Sequence, residues 1–369
     1  MTDNPLQRLS ARVFSAIRKT AARCDSWIQA RPALAAWVYP PPEGDYREFN
    51  GWYFGHFGEH EKMLADRPRM DFYHAAIARH IQPGDRVIDL GTGTGILAAF
   101  AARRGASKVY ALDHSAIIQD ARALAAKNRI ENVDFVAIHS TDFTVDEPVD
   151  VILHEQMGDW LFDEEMIANI SDLRDRALKP GGMILPGRFD LYCEPVKLND
   201  ERHVPFIWEL EVHGFDFSSL AESRPQEPGY YHVRGGDLGA VDFFLGAPEP
   251  LLSVDLLTLR EADMPREIRF QRTVTRAGRL DGYAVYFTAR VDDDLSLSTS
   301  PLDPGRAPHW GFRVLRTDRE DFAIGDVIEA TLIVPRWSRP DTWRWSHLKR
   351  SNGGGAPREA VNSVESDGD

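Results

Sequence analysis

Val87-Ile88-Asp89-Leu90-Gly91-Thr92-Gly93-Thr94-Gly95-Ile96-Leu97 runs from an apolar strand through three glycines at alternate positions and into a helix. Glycine lets the backbone come close to a ligand, and the helix N-terminus beyond offers unpaired N–H groups. By itself such a loop fits nucleotide, flavin and adenosylmethionine sites alike, or a plain strand–helix turn. The residues around it narrow the choice.

Asp113 closes a second apolar strand (Val109-Tyr110-Ala111-Leu112-Asp113), about twenty residues past the loop, where an acid can bind both hydroxyls of a ribose. Asp89 directly precedes the glycines. A carboxylate there suits the ammonium of an amino-acid moiety better than a pyrophosphate, which favours S-adenosylmethionine over a dinucleotide. Strands over Arg86–Leu90, Lys108–Leu112, Val133–Ile138 and Val149–His154 alternate with helices over 95–104, 117–128 and 166–178. That alternation predicts a parallel sheet with crossover helices. The last helix is expected to end at Lys179-Pro180-Gly181-Gly182. The third strand leads into His139-Ser140-Thr141-Asp142-Phe143, a polar edge with an aromatic ring for an adenine.

Beyond Pro186 the pattern changes to short alternating segments (188–192, 251–256, 266–274, 283–289, 327–334) separated by turn residues, which predicts a β sandwich or barrel. With 369 residues the chain exceeds what one core usually organises. The expected division is a helix and Pro-rich linker over 1–45, a Rossmann-like domain over 46–186, a β domain over 187–350 and a disordered tail over 351–369. Residues 5–24 carry five basic side chains and no acidic one on an amphipathic pattern. This stretch reads as a helix docked on the body of the protein. Net charge is −14, which disfavours stable nucleic-acid binding and suits a cationic substrate. No apolar run reaches the ~20 residues of a membrane-spanning helix. Two cysteines, Cys24 and Cys193, with no HExxH or CxxC, provide neither a disulfide framework nor a zinc site and point to a reducing cytoplasm.

The most specific stretch follows the fourth strand. His154-Glu155-Gln156-Met157-Gly158-Asp159-Trp160-Leu161-Phe162-Asp163-Glu164 places two glutamates either side of a Gly-containing loop at the ligand edge of the sheet. Two carboxylates aimed at one pocket are costly unless a cation lies between them. A guanidinium, planar and always charged, matches that demand.

With these motifs in order, the chain resembles the protein arginine methyltransferases over roughly residues 48–334. The family's pre-loop helix corresponds to His56–Arg69, its cofactor loop to Asp89–Leu97, its double-glutamate loop to Glu155–Glu164, and its Thr-His-Trp loop to Pro308-His309-Trp310. The resemblance implies a Rossmann-like methyltransferase domain followed by a β barrel. It also implies a helical dimerisation arm within 204–234, anchored by Phe206, Trp208 and Phe215, and hence a homodimer.

Carried over by position, Arg69 pairs with the cofactor carboxylate, and His60 borders the cofactor beside Gly91, Gly93 and Gly95. Asp113 holds the ribose and Asp142 the adenine. Glu155 and Glu164 clamp the guanidinium, Asp66 and His309 relay the departing proton, and Met63, Met166 and Trp310 shape the acceptor pocket. No metal is implied. The implied reaction is S-adenosylmethionine-dependent methylation of arginine in a protein or peptide. A free guanidine or amine acceptor and a non-catalytic cofactor-binding scaffold are the rivals. Three departures fall on the acceptor side: Gln156 stands for the family's tryptophan, Asp159 for an aromatic, and Phe54 for a tyrosine two residues before His56. Pro308 also replaces the threonine of the Thr-His-Trp loop.

Overall fold

The computed structural model describes residues 46–235, 239–352 and 358–360. The expected N-terminal helix and linker, Cys24 and most of the expected tail lie outside the described residues. Three helices come first: α1 (Tyr46–Tyr53), α2 (Phe57–Ala65) and α3 (Arg67–His80). Asp66 separates the last two. It caps α3 by accepting the Arg69 N–H at 3.0 Å, with Pro68 in the first turn where no N–H is needed.

The sheet that follows contains β1 (Arg86–Leu90), β2 (Lys108–Asp113), β3 (Val133–Ala137), β4 (Val149–His154) and β5 (Leu178–Leu185) in the order β3-β2-β1-β4-β5, all parallel. Helices α4 (Ile96–Arg104), α5 (Ile118–Lys127) and α6 (Met166–Ala177) lie between strands. Strand order reverses between β1 and β4, which opens a crevice at their C-terminal ends. Leu90 is the register partner of His154, so the glycine loop and Glu155 emerge side by side.

Helix α6 stops at Ala177, short of the Pro-Gly-Gly run expected to end it. Lys179-Pro180-Gly181-Gly182 lies within β5 at a register shift opposite Val149–Val151. Gly182 is required there, because a Cβ would lie 2.6 Å from Leu178 Cδ1 and 2.9 Å from the Asp150 carbonyl.

Strand β6 (Arg188–Leu198) carries the chain into a β barrel of two antiparallel sheets. One sheet is built on β6, 278–290 and 312–322, and the other on 267–273, 327–333 and 344–350. A single apolar core runs through both halves of the molecule, from Val87 and Ile152 in the parallel sheet to Tyr283 and Leu332 in the barrel. At the joint, Trp160 meets Trp343 edge-on at 5.2 Å and Phe162 meets Trp337 at 5.4 Å.

The expected helical arm is corrected by the structure. Residues 204–234 form three 3-10 turns and a two-residue hairpin (Glu211–Val212 with Phe215–Asp216), with no α-helix. Prolines at 205, 225 and 228 interrupt any helical run. Phe206 and Trp208 stack at 4.6 Å and are buried, Phe206 against Tyr231 and Trp208 beside Tyr230, leaving Phe215 as the exposed member of the three expected anchors.

Inside the barrel, Arg272 holds Glu194 through two 2.8 Å bonds, and both side chains are out of water. Breaking such a pair leaves a buried charge alone. Arg272→Ala is expected to cost about 3–5 kcal/mol. The double variant Arg272→Met/Glu194→Leu should recover most of it, as read from chemical-denaturation midpoints.

Candidate functional site

The glycine loop takes the shape its sequence requires. Gly91, Gly93 and Gly95 have φ of 70°, 53° and 80°, all left-handed. A Cβ on Gly93 would come within 2.9 Å of the His60 ring, and one on Gly95 within 2.9 Å of Phe135. Asp113 ties the loop to β2 by accepting the Gly93 N–H at 2.9 Å and the Ser115 N–H at 2.8 Å. Asp89 sits deeper than expected. It is fully buried and off the cavity wall, where its Oδ2 accepts from Thr92 Oγ1 (2.6 Å) and from the Ala98 N–H (2.9 Å). It therefore holds the loop and the start of α4 rather than facing the crevice. Burial raises its pKa to about 6 despite those two bonds.

A cavity of about 470 Å³ occupies the crevice. Its walls include the glycine loop, Asp113, His60, Met63, Arg69 and both glutamates of the double-glutamate loop. His60 is buried, with Nε2 2.8 Å from the Phe54 carbonyl. Arg69 is buried too. Its Nη1 donates to the Met63 carbonyl at 3.0 Å and its Nη2 to Glu155 Oε2 at 2.8 Å, while its Nε has no partner. The arginine expected to face a cofactor carboxylate thus lies on the glutamate expected to hold the acceptor.

The two glutamates differ in surroundings. Burial pushes the Glu155 pKa up, against the opposing charge of Arg69. Glu164 forms no ion pair with any described residue. Burial, then Glu155 and Asp163, hold its carboxyl well above the usual range. Asp163 accepts the Trp160 N–H at 3.1 Å within the loop, and burial raises its pKa to about 6. The chain has placed strong demand for a cation at Glu164.

The barrel bolts this loop in place. Trp310 is buried and its indole N–H donates to the Met157 carbonyl. Asp159 accepts the Gly311 N–H at 2.9 Å and pairs with Arg313 at 2.5 Å. The His309 N–H donates to Asp66 Oδ2 at 2.8 Å. Asp66 and His309 are therefore brought together as expected, but through the His309 main chain rather than its imidazole. The other Asp66 oxygen is engaged as the α3 cap.

Some expected site residues stand apart from the cavity. Met166 and Trp310 are fully buried behind the loop and support it without lining the cavity. Asp142 is exposed at the rim and pairs with Arg47 of α1 at 2.7 Å. Phe143, expected beside an adenine, packs instead on Tyr110 with ring centroids 5.5 Å apart. Sequence reading missed Tyr46 and Asn50 of α1 and His114, all of which line the cavity, whereas His139, Ser140 and Thr141 of the expected polar edge do line it. It also missed Arg313, whose only signal was the unexpected acid at position 159. Among the described residues no cluster of His, Cys, Asp or Glu could hold a metal ion, and no helix is long and apolar enough to cross a membrane.

Comparison with known proteins agrees with this geometry. A family model described as ribosomal protein L11 methyltransferase matches residues 74–187. The probable protein arginine N-methyltransferase 6.1 of Oryza sativa subsp. indica is 36% identical over 339 residues, covering 89% of this chain and 84% of that protein. The probable protein arginine N-methyltransferase 6 of Arabidopsis thaliana is 33% identical over 257 residues, 67% of this chain. Its match spans 58% of that relative's own length. The crystal structure of Arabidopsis thaliana protein arginine methyltransferase 10, described as a uniquely open conformation, superposes with a TM-score of 0.71 at 26% identity, over 83% of this chain and 97% of that one. A Trypanosoma brucei enzyme–prozyme heterotetrameric complex with AdoHcy shares the fold, with a TM-score of 0.69 at 24% identity over 83% of this chain and 98% of that one.

The loop geometry makes a direct test. Gly93→Ala forces a Cβ against His60 at a left-handed φ, and Gly91→Arg projects a long cation into cavity space. Both variants are expected to lose S-adenosylmethionine binding in calorimetry while keeping their far-UV circular dichroism. Unchanged binding in either would remove the glycine loop from the site.

Proposed function

The chain belongs to the protein arginine N-methyltransferases, and from that premise we propose that it methylates a guanidinium nitrogen of arginine in a protein or peptide, using S-adenosylmethionine. The observation that carries this reading is the pair Glu155 and Glu164 on one wall of a 470 Å³ cavity, with a guanidinium, that of Arg69, already bound to Glu155. The cavity fits the cofactor on its own terms. A buried arginine with a free Nε suits a carboxylate, Asp113 suits a ribose diol, and the glycine backbone gives close approach, with open space at Gly91 and no room for a Cβ at Gly93 or Gly95.

When bound, the cofactor supplies an electrophilic methyl group on a sulfonium. The chain's own residues do the rest. Glu155 and Glu164 draw the guanidinium's positive charge toward the nitrogens they hold, leaving the target nitrogen with a usable lone pair and a fixed direction of attack. Arg69, Asp113 and the glycine loop would hold the cofactor so that its methyl would pass to that nitrogen, and the proton released there would be taken up by a carboxylate of the glutamate pair. Asp66 and His309 fix the floor of this arrangement by joining α3 to the barrel loop. Arg69 acts on both sides, so a carboxylate arriving at Arg69 leaves Glu155 less neutralised and more attractive to a second cation.

Exposed apolar groups suggest the assembly. Val204 is 75% exposed and Phe215 72% in the barrel segment, and Phe57 is 55% exposed on α2. A homodimer that seats the first patch on the second would cover both. The buried free thiol Cys193 suits a cytoplasmic setting.

Glu155→Gln and Glu164→Gln keep shape and remove charge. Each is expected to slow transfer to an arginine peptide about 30- to 1000-fold, the equivalent of ~2–4 kcal/mol, with S-adenosylmethionine affinity retained after Glu164→Gln. Labelled cofactor offered with arginine peptide, lysine peptide and free arginine should place the methyl group in the arginine peptide. Label only in lysine peptide or only in free arginine would overturn the acceptor. Phe215→Asp should convert a dimer into a monomer in sedimentation, and an unsubstituted protein that sediments as a monomer with full activity would remove the dimer.

A further inference from the structure

Strand order sets the direction in which the cofactor lies. Glu155, with Arg69 bound to it, follows β4, the glycine loop follows β1, and Asp113 closes β2. A cofactor with its carboxylate at Arg69 and its ribose at Asp113 therefore points its base toward the end of β3. The two groups expected to meet that base are turned elsewhere: Phe143 packs on Tyr110, and Asp142 pairs with Arg47 at the rim. The cavity wall at that end carries two imidazoles instead. His114 directly follows β2, His139 follows β3, and their ring centroids are 5.2 Å apart.

Each ring has its tautomer set by a main-chain partner. His114 Nε2 lies 3.1 Å from the Arg47 carbonyl, which can only accept, so Nε2 carries the proton and Nδ1 keeps its lone pair. His139 is the reverse. Its Nδ1 receives the Thr141 N–H at 3.4 Å and lies 2.9 Å from Thr141 Oγ1, so Nδ1 is the acceptor and Nε2 carries the proton. Among the described residues neither His114 Nδ1 nor His139 Nε2 has a hydrogen-bond partner. Burial, with Arg47 and His114 nearby, holds the His139 pKa below its usual value against the pull of Asp142 and Asp172, so the ring stays neutral and keeps this pattern. Gly51 of α1 makes room for His114, since a Cβ there would lie 3.2 Å from that ring.

We propose that His114 and His139 read the edge of the adenine in S-adenosylmethionine: His114 Nδ1 accepts from the exocyclic N6 amine, and His139 Nε2 donates to a neighbouring ring nitrogen. The inference rests on the cofactor reading of the cavity and assigns its base specificity to two residues outside the motifs that carry the family resemblance. Adenine presents an N–H donor beside an acceptor, N6 with N1 or N6 with N7. One open acceptor beside one open donor is the complement of that edge. Hypoxanthine carries a carbonyl oxygen in place of the amine, and that oxygen would face the His114 lone pair. A site built around the amine rejects the base lacking it, because a polar group is left unpaired.

S-adenosylhomocysteine and S-inosylhomocysteine, titrated calorimetrically into the full chain, test the assignment. The unsubstituted protein should bind the adenosyl ligand about tenfold more tightly, or better. His114→Phe keeps a ring and removes the acceptor. Its adenosyl affinity should fall about tenfold while its inosyl affinity holds or rises, so the preference collapses. His139→Phe should weaken the adenosyl ligand by a similar factor, and His139→Gln, which restores an N–H donor, should recover it. If His114 only anchored α1 through the Arg47 carbonyl, His114→Phe would weaken both ligands by the same factor. An unchanged adenosyl-to-inosyl ratio in that variant, equal binding of the two ligands by the unsubstituted protein, or no recovery in His139→Gln overturns the assignment and leaves the cofactor reading standing. No binding of S-adenosylhomocysteine by the unsubstituted protein removes both.

Discussion

Acidic groups crowded out of water at one loop set the terms for the rest of the molecule. Between Glu155 and Glu164 the chain carries four carboxylates, and each meets a different answer. Glu155 lies on Arg69 from α3. Asp159 is bound by Arg313 and the Gly311 N–H from the barrel. Asp163 accepts a main-chain N–H inside the loop, and burial keeps it protonated to about pH 6. Glu164 forms no ion pair with any described residue, and Arg69 reaches it only at a distance. An isolated buried carboxylate is among the most costly features a fold can hold. The arrangement is stable because three of the four are satisfied by elements that the loop itself holds together, and it is useful because the fourth is not.

Two domains are needed for that outcome. The parallel sheet alone can present the loop at its switch point, as the Leu90–His154 register shows, but it cannot supply the Arg313 cation or the Trp310 and Gly311 N–H donors. Those come from the barrel, and the aromatic joint of Trp160, Phe162, Trp337 and Trp343 fixes the barrel at the distance where they reach. The continuous core through both halves is thus part of the electrostatics of the site. Any motion that opened the joint would expose Asp159 and release the loop.

Much of this was legible in the sequence because it rests on local rules. Glycines at 91, 93 and 95 announce left-handed backbone, and an acid at 113 announces the end of a second strand. Alternation of apolar runs announces the parallel sheet. What escaped depends on partners far apart in the chain. Asp89 faces Thr92 and Ala98 rather than a ligand, a choice between two sides of one strand end that spacing does not encode. The 204–234 segment has the length and apolar content of an arm, yet its prolines and the burial of Phe206 against Tyr231 and of Trp208 beside Tyr230 go with 3-10 turns rather than an α-helix. Strand 312–322 carries Arg313 at its second position, and nothing in its own pattern points 154 residues back to Asp159.

The departures from the family pattern now have physical content. An aromatic at position 159 would bury ring area against the barrel, whereas Asp159 exchanges that contact for an ion pair and a main-chain bond, and Arg313 in turn lies 5.9 Å from the Trp160 ring. The exchange adds direction at the cost of dehydrating two charges, so the loop gains a fixed orientation more than it gains stability. Pro308 removes one N–H from the barrel loop, and the next one, on His309, is the donor that Asp66 receives. Gln156 replaces an indole with an amide whose Oε1 is buried without a partner on the cavity wall, so the acceptor side carries one neutral acceptor where the family pattern has a ring. Gln156 and Asp159 thus replace rings with polar groups beside the same two glutamates, while Pro308 goes the other way and trades a hydroxyl for a ring. The charge demand of the two glutamates is untouched by either kind of change, because Arg69, Arg313 and the Gly311 N–H that answer the neighbouring carboxylates are all in place.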